Sequence, residues 1–157
     1  MNIEDFKSLM DGFEPASLLP ELDSIISKFA PVARILVLVG PAALLLMGLV
    51  YLFIVPKEAN YILGYRCYYG MGSVEAWRFT QRLAGIVFGA LGVVLGIVMA
   101  LIGGSFTELE TMELLWRTVY CVGGEAAAAA IACLTINTVT AARFDSRGDL
   151  RKKKVRR

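Results

Sequence analysis

Three long runs without charge decide what this chain can become. Residues 35–55 supply 21 consecutive positions free of Asp, Glu, Lys and Arg, and residues 83–102 supply 20 more. Residues 118–142 supply 25, broken only by Glu125. At about 1.5 Å rise per residue, each run crosses a hydrocarbon layer roughly 30 Å thick. No water is present there to satisfy exposed peptide groups, so such segments fold as helices that close their own hydrogen bonds. The expected fold is an all-α membrane protein with three transmembrane helices. Their spans are about 35–55, 83–102 and 118–142, within a domain of residues 31–142. A hydrophobic share of 57% over 157 residues is high for a water-soluble domain and agrees with this class.

The two ends differ in charge. Residues 1–30 carry six acidic and two basic residues. Within them Leu18, Leu19, Leu22, Ile25, Ile26 and Phe29 share one side of a helix, with Pro20 in its first turn. This predicts an N-terminal amphipathic interfacial helix that either lies on the membrane or docks a partner. The segment is too polar and acidic for a cleavable signal peptide. Residues 143–157 carry eight basic and two acidic residues, a tail suited to anionic lipid head groups rather than to nucleic acid. Cations flank spans on the cytoplasmic side. The segment between the first two spans holds Lys57, Arg66, Arg78 and Arg82, whereas the next holds Glu108, Glu110 and Glu113, with Arg117 at its end. Both observations, with the acidic N-terminus and basic tail, place the N-terminus outside and the C-terminus in the cytoplasm. Arg34, a cation at the outer end of the first span, stands against them.

Inside the spans two features stand out. Gly85, Gly89, Gly92 and Gly96 are spaced four, three and four, so they form one face of the second span on which another helix can approach closely. That face serves either packing within the three-helix bundle or a homo-oligomer. Glu125 shares its side of the third span with Cys121, Ala129, Ala132, Ile136 and Val139. Near the glutamate this side is narrow, suited to the glycine face of the second span. An ionisable group at that depth is expensive and marks a functional candidate. Three readings stay open: a neutral packing residue, an ionised group on an ion path, or a contact to a partner helix. Asn137 lies about 120° around the helix from it, too far to be its partner. Cys67, Cys121 and Cys133 are expected as free thiols. With no histidine, no metal-ligand cluster, no nucleophile motif and no phosphate loop, neither a metal, a cofactor nor a catalytic residue is expected.

The segment "EANYILGYRCYYGMGSVEAWRFTQR" between the first two spans is of another kind. Ser73 suits a helix N-cap, and a helix from Val74 would run on into the second span. Trp77, Arg78 and Arg82 fit an interfacial belt, an account that leaves the upstream "GYR" unexplained. Asn60, then Gly64, Tyr65 and Arg66, then Trp77 and the pair Gln81 and Arg82 opening a glycine-rich span, resemble the SdpI-like family of bacterial membrane proteins. That family's signature is an "N…GYRT" segment after one span, a tryptophan about ten residues on, and an Asn-Arg pair opening the next span. The likeness covers roughly residues 40–105. Cys67 stands where the family usually has Thr, and Gln81 where it often has Asn. The resemblance implies a small polytopic protein of the bacterial cytoplasmic membrane without catalytic machinery. The founding member protects its bacterium against a secreted toxic peptide and relays a signal by holding a repressor at the membrane.

Physical chemistry suggests roles for the motif. Gly64 permits a turn at the membrane surface, Tyr65 anchors among head groups, and Arg66 offers a fork of donors to a carboxylate such as Glu75, to helix-end carbonyls or to lipid phosphate. The function that the resemblance implies is binding or sensing of a toxic peptide, a lipid or a membrane partner, in immunity or signalling. The alternative is an accessory subunit of a larger membrane complex or transporter, with Glu125 as its ion-coupled group.

Overall fold

The computed structural model describes residues 29–56, 58–59 and 62–151. Of residues 1–30, expected to carry the amphipathic helix, 1–28 lie outside them, as do Asn60 and the last six residues of the basic tail; Phe29 and Ala30 belong to the first membrane helix. Three helices form the body: α1 (Phe29–Phe53), α2 (Val74–Gly104) and α3 (Thr111–Arg143). Each is long and apolar enough to cross a membrane. Their outward faces carry Ile35, Leu46, Ile86, Val94, Leu101 and Leu134 in exposed positions, a surface suited to hydrocarbon rather than water.

Each helix begins before the uncharged stretch that announces it, and α1 ends two residues short of its own. α1 starts six residues before its run and carries Arg34 within it. α2 starts at Val74 because Ser73 is extended and its hydroxyl accepts the Ala76 N–H at 3.1 Å, with Glu75 in the first turn. The polar residues 75–82 are thus the opening turns of the span. α3 has Glu113 in its first turn and Arg143 in its last, each matched to the dipole at its end.

α1 and α2 meet almost backbone to backbone. A Cβ at Gly48 would lie 2.5 Å from the Gly89 nitrogen, and one at Gly92 would lie 2.6 Å from the Leu45 nitrogen. One at Gly85 would meet Leu52 at 2.5 Å. α1 therefore occupies the glycine face of α2, as small residues permit. The four glycines are not equal: Gly85 and Gly92 have no room for a side chain, Gly96 makes only ordinary contact with Pro41, and a Cβ at Gly89 would touch nothing.

Two buried clusters fill the bundle. Ala33, Val37, Met99, Phe106 and Leu114 pack near the α2–α3 connection. Leu44, Ala84, Phe88, Ala132 and Ile136 pack toward the other end, where α1 stops and α2 begins. At this latter end buried Thr80 and Thr140 face each other at 3.5 Å, each also donating to the carbonyl four residues back.

Arg34, which looked like a stray cation, closes the opposite end. Its Nε donates to the Gly103 carbonyl at 2.5 Å, and its Nη2 donates to the Gly104 carbonyl at 2.8 Å. These are last-turn carbonyls of α2, where the Ser105 N–H is the cap's own donor to Gly103, and a cation there also favours the helix dipole.

After α3 the chain turns back on itself. Phe144 is buried and bridges Leu150, and Asp145 accepts the N–H groups of Arg147 and Asp149, both at 2.9 Å. Those two bonds hold the Asp145 carboxyl below its ordinary range. The turn docks on the start of α2: Ser73 Oγ donates to the Gly148 carbonyl at 2.7 Å, and Gly72 and Gly148 touch through their backbones.

Candidate functional site

The motif residues converge where α1 ends. Gly64 has φ +127°, a conformation that side chains of L-residues rarely adopt, and a Cβ there would sit 2.7 Å from the Trp77 ring. The Trp77 ring that fills this space is fully buried, and its indole N–H donates to the Pro56 carbonyl at 2.9 Å. One turn further along α2, Gln81 grips the next loop residue from both sides. Its Oε1 accepts the Tyr65 N–H and its Nε2 donates to the Tyr65 carbonyl, each at 2.8 Å.

Tyr65 carries the connection to the third helix. Its ring lies 6.3 Å from that of Tyr51 on α1 and 5.8 Å from that of Phe88 on α2. Its hydroxyl reaches α3, with the Asn137 Oδ1 at 3.0 Å and the Cys133 carbonyl at 3.2 Å. Burial first, and then the neighbouring Cys133 thiol, push the phenol above its ordinary pKa. Gly64, Tyr65, Trp77 and Gln81 thus form one latch that ties the loop to all three helices.

This geometry corrects two expectations. Trp77 is not a belt residue facing head groups: the loop folds over it and takes it out of contact with the surroundings. Tyr65 does not anchor in the head-group layer either, because Gln81 fixes its backbone and its side chain runs inward to α3. The two flanking arginines differ from the latch. Arg66 and Arg82 are both exposed. Arg82 lines an open cleft with Leu52, Phe53, Pro56 and Arg78 beside the end of α1.

Glu125 belongs to a separate place, deeper in α3. It is 6% exposed, and its Oε1 has no hydrogen-bond partner among the described residues. Its carboxyl abuts Gly40 of α1, where a Cβ would overlap it. The expectation that its face meets the glycine face of the second span is therefore corrected: α1 covers those glycines, and Glu125 contacts α1. A buried polar atom without a partner is rare enough in folded proteins to demand an explanation. Among the described residues no group of three His, Cys, Asp or Glu side chains is placed to hold a metal ion.

Several contributors escaped sequence reasoning. The helical wheel says of Asn137 only that it is too far from Glu125 to pair with it, and in the structure it serves Tyr65. The Pro56 carbonyl and the Ser73–Gly148 contact involve backbone atoms, which leave no mark in a residue pattern.

Fold and latch together define a class, a three-span helical membrane protein whose first interhelical loop is fastened into the bundle. Within that class the chain belongs to the SdpI/YfhL protein family, whose model matches residues 57–137, just over half of the chain. The match includes the whole latch, the glycine face of α2 and Glu125. No curated protein and no solved structure matches the chain.

Proposed function

We propose that this protein is a non-catalytic sensor of the bacterial cytoplasmic membrane that recognises a membrane-inserting toxic peptide and confers immunity to it, with the latch end facing the cytoplasm. The observation that carries the reading is the latch itself. Tyr65 touches side chains of α1 and α2 and bonds to α3, so a ligand that wedges helices apart from the lipid side would strain the same few bonds. Loop release then reports the ligand on the cytoplasmic side, where a protein partner can read it. Charge supports the orientation, since cations concentrate beside the latch and in the tail.

The test is deletion of the gene in its host, followed by exposure to medium conditioned by the wild-type strain, with a potential-sensitive dye as readout. Depolarisation in the deletion strain, reversed by the intact gene and not by Gln81→Leu expressed to the same level, supports the proposal. An unchanged potential in the deletion strain rejects immunity as the function.

A second reading rests on Glu125, whose unpartnered buried oxygen suits an ion-coupled group in an accessory or transport subunit. It predicts proton flux in proteoliposomes that Glu125→Gln abolishes. Equal flux with and without the protein would remove it.

A further inference from the structure

Three arginines close to the latch surround one cleft. Arg78 and Arg82, one turn apart on α2, line a cavity of about 520 Å³ with Arg143, the last residue of α3. Its apolar wall is made of Phe79 and Phe144, whose rings lie 5.5 Å apart. Glu75 is the one carboxylate in the lining, so three guanidinium groups leave the cleft with a net charge of +2. Its volume falls within the range of small-molecule sites.

Position decides what such a cleft can hold. Arg82 directly precedes the uncharged run 83–102, and Arg143 directly follows the run 118–142. The two guanidinium groups therefore sit on neighbouring helices at the level where hydrocarbon gives way to head groups. The cleft is also preformed. The Arg143 guanidinium lies over the Phe79 ring at 4.5 Å from its centroid, a stacking that fixes its plane while leaving its N–H edges available. Phe144 is buried, and the turn behind it is fastened to Ser73. Planar donor forks above an apolar wall match a phosphodiester head group whose acyl chains run down between α2 and α3. Further along the same pair of helices lies a second open groove, lined by Val87, Leu91, Ala128, Ile131 and Ala132.

We infer that the cleft between α2 and α3 at Arg78, Arg82 and Arg143 binds one anionic phospholipid by its phosphate. The basic tail beyond residue 151 attracts anionic lipid less selectively, so the experiment separates the two. Full-length protein in mild detergent is titrated with phosphatidylglycerol or phosphatidylcholine, and bound lipid is counted by native mass spectrometry. The expected result is one phosphatidylglycerol held at least tenfold more tightly than phosphatidylcholine. Arg82→Gln with Arg143→Gln should abolish that preference, while replacing the five basic residues of 152–157 by Gln should retain it. Circular dichroism and the thermal midpoint show whether the double variant folds. If it does not, Arg82→Lys replaces it, with an expected loss of about threefold or more in preference. Preference lost only in the tail variant, preference retained in every arginine variant, or equal displacement of lipid by inorganic phosphate would each overturn the inference.

Discussion

Replacing Gln81 by Leu removes two hydrogen bonds and little volume, so it isolates the latch from packing. In the native protein the side chain holds both polar groups of the Tyr65 peptide unit at 2.8 Å. Each such bond contributes about 0.5–1.5 kcal/mol net. Their loss therefore lowers the free energy of loop opening by about 1–3 kcal/mol, which raises the open population roughly 5- to 150-fold at about 1.4 kcal/mol per factor of ten. The cost should fall on the loop and not on the helices, because among the described residues the Gln81 side chain bonds to Tyr65 and not to α1 or α3. Hydrogen–deuterium exchange in nanodiscs reads this as faster exchange across residues 62–70, with the centres of α1, α2 and α3 unchanged. Exchange of residues 62–70 at the native rate in Gln81→Leu would refute the reasoning, since it would mean that the two bonds do not hold the loop.

Other outcomes follow from the same geometry. Gly64→Ala places a methyl group against the Trp77 ring and forces an unfavourable φ, so it should lower detergent thermal stability by more than Gln81→Leu does, with an expected cost of about 2 kcal/mol or more. Tyr65→Phe should cost about 0.5–1.5 kcal/mol at neutral pH. The phenol pKa is raised on folding, so its stabilising share is complete below about pH 10, the ordinary phenol value, and lost as pH rises through the raised one. Alkaline melts should therefore show the wild type losing its advantage over Tyr65→Phe above that pH. Arg34→Met leaves the Gly103 and Gly104 carbonyls without their cationic donor, and differential scanning calorimetry should show a lower midpoint, consistent with about 1.5–3 kcal/mol for the part-buried bond to Gly103 and less for the exposed bond to Gly104.

The helix count was legible because run length against bilayer thickness is a one-dimensional criterion, and lipid leaves the backbone few alternatives. The start of α2 was legible too, since an N-cap serine acts within a single turn. The members of the latch could be singled out, but their roles could not. Trp77 beside two arginines at the mouth of a span has the pattern of a belt residue, and only the return of the loop over it shows otherwise. Tyr65 shows no periodicity because its position comes from a turn at Gly64 and a bond across 72 residues to Asn137. The small side of α3 near Glu125 can be seen in the sequence, yet a helical wheel specifies a face and not the neighbour that covers it. Gly40 and the glycines of α2 are equally good partners by sequence, and the close fit of Gly48 against α2 settles the matter in three dimensions. The role of Arg34 was not legible because the groups it serves are main-chain carbonyls, common to every residue type.

The central claim is that the motif residues act as one latch and not as separate anchors. A double-mutant cycle between Gln81→Leu and Tyr65→Phe, followed by exchange protection of residues 62–70, tests it most directly. Once either variant has released the loop, the other has little left to break, so the double variant should fall short of the summed single costs by about 0.5 kcal/mol or more. Costs that add to within about 0.3 kcal/mol would show two independent contacts and contradict the account.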